Sequence, residues 1–294
     1  MKIKFTVFTP AYNRKELLRK LYMSLQNQTY KNFEWLIVDD GSTDGTDEIV
    51  KKFMQENKLD IKYYYEKNGG KQRAYNFALD KAIGELFICL DSDDKYINNG
   101  LEIILEYWKE YEKNDEIAGM GYLSIYPDGK IIGTEFPYNK MIETQFDIYN
   151  KYSVKGDKGL MFRTEIIKKY KFPVFEGEKF ITEASVYNRI AEKYKMIYIN
   201  EKIEIKQYHE DGLTAKYNNL LLGNPKGQAL YHNERNKHKM SLKDRILNNA
   251  VYYKFAKIAS YPFEKIYREC YSKLSLLLGL PIGIYMWRKV RNRK

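Results

Sequence analysis

The sequence predicts an α/β domain, with a mainly parallel central sheet and helices on both of its faces, followed by a basic amphipathic helical tail. Two observations predict the domain. Apolar runs alternate with amphipathic segments four times over about 90 residues, and the runs are apolar throughout, as in strands buried on both faces. A third observation predicts the tail: residues 226–294 contain 16 Lys and Arg against 4 Asp and Glu, whereas the preceding residues contain 34 against 35.

The first part of the chain divides into strand-turn-helix units. Leucines at helical spacing indicate the first helix, and Ser, Thr and Asp before residue 46 offer N-caps for the second. The predicted strands lie at 3–9, 33–38, 61–65 and 86–90, and the predicted helices at 15–27, 46–57 and 71–83. Right-handed crossovers between these strands give a parallel sheet.

Three of these strands end in polar loops, at residues 9–14, 39–44 and 91–94. Ligands of open α/β sheets bind beyond the carboxyl ends of the strands, so the loops predict one shared cleft. In an extended segment Asp91 and Asp93 project to the same side. Their oxygens suit Mg²⁺ or Mn²⁺, which in turn suits a diphosphate. The alternative is an acidic turn before the helix that begins near residue 100.

The first turn contains no glycine-rich phosphate loop. Pro10-Ala11-Tyr12-Asn13-Arg14 stands where a dinucleotide-binding domain has Gly-x-Gly-x-x-Gly, and the sequence contains no Walker A motif. We therefore expect basic side chains such as Lys71 or Arg73 to contact the phosphates of a bound nucleotide.

The second part of the chain gives a more mixed pattern. We predict a helix at 100–113, a hairpin over 117–132, strands at 160–163, 196–199 and 203–208, and no clear element at 134–160. The predicted domain organisation is a catalytic domain at 1–217, with a nucleotide-binding half at 1–95 and an acceptor-binding half at 96–217, then a linker at 218–227 and the tail at 228–294.

The tail is predicted to form amphipathic helices at 242–258 and 266–278, each with Lys and Arg opposite an apolar stripe. In the first helix the expected stripe consists of Leu247, Val251, Phe255 and Ile258. Such helices indicate an anionic membrane surface as partner. Nucleic acid is not expected, because a phosphate backbone does not need the apolar stripe.

The most apolar window of the tail, at 274–287, is shorter than the ~20 residues that span a bilayer. Gly279, Pro281 and Gly283 also interrupt it. We expect this segment to lie in the membrane interface, anchored by Trp287 and by the basic residues 288–294. The alternative is a helical appendage that packs on its own domain.

Cysteine usage and the N-terminus predict the compartment. Cys89 and Cys270 form neither a disulfide framework nor a metal-ligand spacing. The first residues form a strand pattern rather than a secretory signal. We expect a cytoplasmic protein that is peripheral on the inner face of the plasma membrane.

Four segments, taken together and in order, resemble the signature of glycosyltransferase family 2, the inverting GT-A enzymes that use nucleotide sugars. They are Thr9-Pro10-Ala11-Tyr12-Asn13, Asp39-Asp40-Gly41-Ser42-Thr43-Asp44, residues 68–84, and Asp91-Ser92-Asp93-Asp94. The resemblance covers residues 3–95 and implies the GT-A form of the α/β fold.

The resemblance also implies roles for single residues. Thr9, Ala11 and Tyr12 are expected to line the base pocket, with Tyr12 beside the uracil ring, and Asp39 to accept a hydrogen bond from the base. The further candidates for nucleotide-sugar binding are Arg14, Asp40, Lys71 and Ser92.

The family also implies a metal site that uses Mn²⁺ or Mg²⁺. Asp93 is expected to ligate the metal ion, which contacts the diphosphate, and Asp91 to approach both the ribose and the metal ion. Arg73 is expected to face the nucleotide. His209 is a further candidate ligand.

The catalytic base in this family is an acidic residue late in the domain, often in a Glu-Asp pair at the start of a helix. Here the corresponding residues are Thr182-Glu183-Ala184, so the second acid is missing. Glu183 is therefore the expected base, with Asp211 and Glu178 as the next candidates.

The resemblance implies a metal-dependent inverting transfer of a sugar from a UDP-sugar to a lipid-linked or glycan acceptor in cell-surface polysaccharide synthesis. One alternative is a sugar nucleotidyltransferase, although that class needs a glycine-rich basic loop after the first strand. Another is a non-catalytic nucleotide-sugar-binding protein, which the absent second acid leaves open. The sequence identifies neither the donated sugar nor the acceptor.

Overall fold

The computed structural model describes residues 3–207 and 217–292, which form two compact units. The described part of the first unit comprises residues 3–171 and 189–207, and that of the second comprises 172–188 and 217–292. The predicted boundary at residue 217 differs from this division, because residues 172–188 group with the C-terminal helices.

The first unit contains the strands and the first six helices of the described residues. Strands β1 to β9 span Phe5–Ala11, Phe33–Asp39, Asp60–Tyr65, Leu86–Cys89, Lys95–Tyr96, Ile117–Ile125, Met141–Glu143, Lys158–Arg163 and Lys195–Ile205. Helices α1 to α6 span Lys15–Gln26, Thr46–Glu56, Lys71–Lys81, Gly100–Trp108, Gln145–Asn150 and Thr164–Ile167. Helix α7 (Ala184–Ala191) contributes residues to both units. The four strands and three helices predicted for the first 90 residues are thereby confirmed.

The strands form one mixed sheet in the order β3-β2-β1-β4-β8-β6-β9-β5, and β7 also pairs with β9. Strand β1 is parallel to β2 and to β4, and β2 is parallel to β3. Strand β8 is antiparallel to both of its neighbours, β4 and β6. The carboxyl ends of β1, β2 and β4 therefore meet at one edge of the sheet.

Apolar side chains from β1, β2 and β4 and from the flanking helices form the core of this unit. Leu18, Leu21 and Leu25 of α1 are buried, as their helical spacing predicts. The rings of Tyr22 and Phe53 stack at 4.0 Å between α1 and α2. Burial of each such side chain contributes about 1.5–3 kcal/mol, so these contacts fix both helices on the sheet.

The second half of the sheet differs from the predicted pattern. The expected hairpin over 117–132 is one long strand, β6, followed by an isolated bridge between Ile125 and Ile131. The two strands expected within 196–208 form a single strand, β9, with register irregularities against β6. Residues 134–160, which gave no clear pattern, contain β7 and α5. These elements depend on partners that are distant in the chain.

The close approach of β6 to β8 requires glycine. A Cβ atom on Gly119 would lie 2.0 Å from the carbonyl oxygen of Met161, and the two strands pair through Met120 and Met161. A side chain at position 119 would therefore separate the strands and break the ladder.

The second unit is helical in its described part. Helices α8 to α12 span Tyr217–Gly223, Pro225–Arg235, Leu242–Ile258, Phe263–Glu269 and Lys273–Arg291. Residues 218–227, expected as a linker, lie in α8 and the first turn of α9. Pro225 starts α9, because its fixed φ and missing N–H suit the first helical position.

Helix α10 has the predicted bounds, but its buried side matches the expected stripe only in part, at Phe255. Its buried residues include Asn248 and Asn249, whereas Leu247 of the expected stripe is exposed. Asn236 of α9 donates from Nδ2 to Oδ1 of Asn249 (2.9 Å), and Asn248 donates from Nδ2 to Oδ1 of Asn236 (3.0 Å). These hydrogen bonds make burial of the asparagines possible, and apolar periodicity alone does not reveal them.

The predicted helix at 266–278 is interrupted, because α11 ends at Glu269 and α12 begins at Lys273. Helix α12 then continues through Pro281. Within residues 3–207 and 217–292, no helix is both long enough and apolar enough to cross a bilayer.

Candidate functional site

The predicted cleft lies where β1, β2 and β4 end. The backbone N–H of Asp40 donates to the carbonyl of Ala11 (2.8 Å), and that of Leu90 donates to the carbonyl of Phe8 (2.8 Å). Strand pairing thus continues to the last residue before each loop. The loops that follow these three strands consequently share one edge of the sheet, as the sequence predicts.

Thr9 links the strands instead of presenting a free hydroxyl. It is fully buried, and its Oγ1 donates to the carbonyl of Leu90 (2.8 Å) and accepts from Nε1 of Trp35 (3.0 Å). Ala11 is also buried. In this structure both side chains support the strand ends and are covered by protein, whereas Tyr12, which is 51% exposed, is open to a ligand.

Asp39 is buried, and both of its carboxylate oxygens have partners in the chain. The backbone N–H of Ser42 donates to Oδ1 (2.7 Å), and the hydroxyl of Tyr63 donates to Oδ2 (2.8 Å). Burial of Tyr63 and this hydrogen bond to a carboxylate raise the pKa of the Tyr63 hydroxyl. Asp39 therefore fixes the start of the loop, and contact with a base would compete with these bonds.

Asp40 connects the loop after β2 to the turn before α3. Its Oδ1 accepts from the backbone N–H of Gly69 (2.7 Å) and its Oδ2 from that of Gly70 (2.9 Å). Asn68 donates from Nδ2 to the carbonyl of Asp40 (2.7 Å). Gly70 has a φ of 91°, a backbone conformation that favours glycine. This connection determines where α3 begins, and α3 begins with Lys71.

Lys71 and Asp91 form an ion pair at the edge of the sheet where β1, β2 and β4 end. Nζ of Lys71 lies 2.6 Å from Oδ1 and 2.9 Å from Oδ2 of Asp91. Burial would raise the pKa of Asp91, but the positive charges of Lys71, Lys206 and Arg14 outweigh it and hold that pKa below its ordinary value. Arg73, two residues further along α3, is exposed and donates from Nε to the carbonyl of Gly69 (3.1 Å). The edge thus combines one ionised carboxylate with several cations.

The acidic loop is a tight turn. Strand β4 ends at Cys89, and the backbone N–H of Asp94 donates to the carbonyl of Asp91 (3.0 Å). The extended segment assumed for Asp91 and Asp93 is therefore wrong. Ser92 is buried beneath the turn, whereas Asp93 is partly exposed.

A buried charge cluster next to this turn was missed by the sequence analysis. Nζ of Lys206 lies 2.8 Å from Oδ2 of Asp94 and 3.2 Å from Oε1 of Glu204. The hydroxyl of Ser124 donates to Oε2 of Glu204 (3.0 Å). The only available signal was the alternation of Glu204 and Lys206, which places both on one side of a strand.

Two buried carboxyl groups in this cluster share one ammonium group, so ionisation of both would leave an excess of negative charge. Burial raises the pKa of Asp94 to about 8 against the opposing charge of Lys206, and Glu204 adds to the rise. Burial would lower the pKa of Lys206, but Glu204, Asp94 and Asp91 together hold it well above its ordinary value. Lys206 therefore ties the turn to β9 as a charged group.

The donor atoms in the turn suit a hard divalent cation. Carboxylate oxygens of Asp91 and Asp93 are the ligand type that Mg²⁺ and Mn²⁺ prefer, with phosphate and water oxygens as the remainder. Lys71 neutralises Asp91, and Lys206 engages Asp94, so Asp93 is the carboxylate best able to bind a cation. In the described ranges, no three His, Cys, Asp or Glu side chains form a metal cluster. His209 lies outside the described residues.

The sequence profile of Glycosyl transferase family 2 matches residues 6–171, which is more than half of the chain. The match includes the carboxyl ends of β1, β2 and β4 and the loops that follow them. The chain belongs to glycosyl transferase family 2. The match contains Lys71, Asp91 and Asp93, and it ends before Glu183.

Several proteins are similar in sequence to this family 2 chain. Glycosyltransferase GlyA of Streptococcus pneumoniae is 30% identical over 213 residues, 68% of this chain and 30% of that protein. An uncharacterized glycosyltransferase of Rickettsia bellii is 35% identical over 150 residues, 48% of this chain and 21% of that protein. The chain thus spans less than a third of these two relatives. The GalNAc(5)-diNAcBac-PP-undecaprenol beta-1,3-glucosyltransferase of Campylobacter jejuni is 27% identical over 310 residues, 96% of this chain and 92% of that protein.

Solved structures share the fold of this family 2 chain. Residues 1–349 of S. aureus TarS, in complex with UDP-GlcNAc, superpose with a TM-score of 0.66 at 20% identity, covering 98% of this chain and 90% of that one. The mannosyltransferase PcManGT of Pyrobaculum calidifontis, in complex with GDP-Man and Mn²⁺, gives a TM-score of 0.58 at 17% identity, covering 97% and 84%. The predicted GT-A fold is confirmed.

The candidate bases of the family 2 chain lie in the second unit or outside the described residues. Glu183 precedes α7, is partly exposed, and its Oε2 accepts from the hydroxyl of Tyr187 (3.4 Å). Glu178 is buried and accepts from the backbone N–H groups of Lys226 (2.7 Å) and Gly227 (2.9 Å) at the start of α9. Glu178 is therefore engaged as a helix cap. Asp211 lies outside the described residues.

Proposed function

We propose that the chain is an inverting glycosyltransferase that moves a sugar from a UDP-sugar to a lipid-linked or glycan acceptor in the synthesis of a cell-surface polysaccharide. The observation that supports this best lies at the carboxyl ends of the strands of a family 2 chain, where Lys71 pairs with Asp91 beside the partly exposed Asp93. A relative named for its action on an undecaprenol-linked glycan and a neighbour solved with UDP-GlcNAc also support it.

Donor binding in this proposal depends on the charged side chains at the carboxyl ends of β1, β2 and β4. Lys71 and Arg14 provide positive charge for the diphosphate, and Tyr12 lies beside the uracil ring. Asp93, with Asp91, would hold Mn²⁺ or Mg²⁺. When bound, the divalent ion neutralises the charge that develops on the leaving diphosphate.

The transfer step in this proposal is a single displacement. The acceptor oxygen forms a bond to the anomeric carbon while the bond from that carbon to the phosphate oxygen breaks, and UDP leaves with the electron pair. Glu183 accepts the proton of the acceptor hydroxyl through a carboxylate oxygen. Attack from the face opposite the leaving group inverts the anomeric configuration.

The proposed setting is the inner face of the plasma membrane. A lipid-linked acceptor is held there, so a peripheral protein with an affinity for anionic lipid would meet it in the cytoplasm. The charge of the C-terminal residues, 16 Lys and Arg against 4 Asp and Glu over 226–294, supports this location.

The test is a screen of nucleotide sugars for hydrolysis and transfer, with Mn²⁺, Mg²⁺ or a chelator. We expect turnover of a UDP-sugar that needs a divalent ion and is largely lost in Asp93→Asn. The matched control is Asp128→Asn, in an exposed turn of the same unit, where the carboxylate contacts the side chain and the backbone N–H of Lys130. Equal activity of the two variants, or full activity in chelator, would contradict the metal-dependent proposal.

The same screen separates the alternatives. Tight binding of a UDP-sugar with neither hydrolysis nor transfer in any metal would indicate a binding protein. Formation of a nucleotide sugar and pyrophosphate from a sugar phosphate and UTP would indicate a nucleotidyltransferase. A product with the anomeric configuration of the donor would exclude single displacement.

A further inference from the structure

Helix α12 presents a continuous apolar face to solvent, which we name the outer face. It consists of Leu274, Leu277, Leu278, Ile282 and Tyr285, all of which are exposed. These positions recur every three or four residues and so lie along one side of the helix. Leu274 is 69% exposed and Tyr285 is 65% exposed. Such a row of exposed large apolar side chains is unusual on a protein surface and indicates a binding site.

The opposite side of α12 explains why the outer face cannot turn inward. Gly279 and Gly283 lie against α10, where a Cβ atom on Gly279 would be 2.7 Å from the carbonyl oxygen of Ile246 and one on Gly283 would be 2.9 Å from that of Ala250. Ser275 and Leu276 are buried on this same side. Larger side chains do not fit so close to the α10 backbone, so the leucines remain outside.

Positive charge flanks the outer face at both ends, and α12 contains no acidic residue. Lys273 stands at its N-terminal end, and Arg288, Lys289 and Arg291 stand at its C-terminal end. Nζ of Lys273 lies 5.5 Å from the ring centre of Tyr267 in α11. An apolar centre with basic ends is the arrangement of helices that lie in the interface of an anionic bilayer.

Trp287 does not belong to the outer face. Nζ of Lys257 lies 5.6 Å from its ring centre and the guanidinium carbon of Arg291 lies 5.0 Å away. Its side chain is partly buried between these cations. Tyr285 is therefore the aromatic residue that the outer face offers, in place of the Trp287 anchor expected from the sequence.

We propose that the outer face of α12 docks on the surface of an anionic lipid bilayer, with the helix axis in the membrane plane. This inference specifies the membrane location proposed above, and it does not depend on the transfer reaction. A second copy of the chain is the other possible occupant. If two outer faces paired, whether parallel or antiparallel, the basic residues at the ends of one helix would lie against those of the other. These residues are Lys273 at one end and Arg288 and Lys289 at the other, and like charges oppose that contact.

The test is flotation of the full chain with vesicles, in the absence of any donor. We expect binding to mixed phosphatidylglycerol and phosphatidylcholine vesicles, weaker binding to phosphatidylcholine alone, and a decrease with added salt. The double variant Leu274→Glu/Leu278→Glu should lower the partition coefficient by at least about tenfold, because it removes apolar burial and adds repulsion. Arg288→Glu/Lys289→Glu should lower binding to the anionic vesicles only.

The control is Met23→Glu, which changes an exposed apolar residue (56%) on α1 of the first unit. It should bind vesicles like the unaltered chain. Because the substituted side chains are exposed, the leucine variant and the Met23→Glu control should keep the circular dichroism of the unaltered chain. Both should also keep any donor hydrolysis in solution. Equal flotation of the leucine variant and the control would overturn the proposal. So would a dimer in light scattering that becomes a monomer in the leucine variant, since the outer face would then join two copies.

Discussion

The buried cluster beside the acidic turn permits a quantitative prediction. Lys206→Met should lower the free energy of unfolding by about 3–5 kcal/mol, because it leaves two buried carboxylates without a counter-charge. The side chains of Asp94 and Glu204 are only 6% and 3% exposed, so water cannot replace the lysine. Methionine keeps most of the length of the lysine side chain, and lost packing therefore contributes little.

The destabilisation should increase with pH. Removing Lys206, whose charge opposes the rise, raises the folded-state pKa of Asp94 further. A carboxyl whose folded-state pKa is raised contributes its stability fully below the unfolded pKa and loses it as the pH rises through the folded pKa. For Asp94 in the unaltered chain, that window runs from its ordinary value of 3.8 to about 8. The variant should lose about as much stability across this window and continue to lose it above about pH 8, where the unaltered chain no longer does.

Urea unfolding of the two proteins at about pH 5 and about pH 9, in chelator, measures this effect. The matched control is Lys62→Met, which removes an exposed ion pair with Asp60 (2.8 Å; 45% and 42% exposed) and should change stability by less than about 1 kcal/mol. If Lys206→Met destabilises no more than this control, or equally at both pH values, the buried ion-pair argument is wrong.

Three further predictions concern single residues. Glu183→Gln should reduce transfer by at least about a hundredfold while UDP-sugar binding, measured by calorimetry, stays near normal; unchanged transfer would move the role of base to Asp211. Glu178→Ala should lower the urea-unfolding free energy by about 1–3 kcal/mol, because two backbone N–H groups of α9 lose their acceptor, and the exposed Glu176→Ala is its control. Gly119→Ala should abolish soluble expression, since its Cβ would lie 2.0 Å from a carbonyl oxygen, whereas Gly223→Ala, with open space around it, should express normally.

The sequence alone predicted several elements of the fold closely. Helix α3 was expected at 71–83 and spans Lys71–Lys81, and helix α10 was expected at 242–258 and spans those residues. These elements were predictable because periodicity, caps and turn residues act over a few neighbouring positions. The convergence of three polar loops followed as well, since parallel strands place their carboxyl ends together.

The tertiary structure decided how the predicted site residues are used. Thr9 and Asp39 hydrogen-bond within the protein, because partners such as Trp35 and Tyr63 come from other strands. Lys206 joins the site although 112 residues separate it from Asp94. No local sequence pattern reveals contacts between residues so far apart in the chain.

Tertiary packing likewise decided which faces of the C-terminal helices are buried. The apolar periodicity of the sequence could not show that α10 buries hydrogen-bonded asparagines or that α12 packs through Gly279 and Gly283. Burial depends on which side chains a neighbouring helix can accommodate and pair with. For this reason the sequence determined that the tail is amphipathic, and only the packing of α12 on α10 determined that Leu274 and Leu278 face outward.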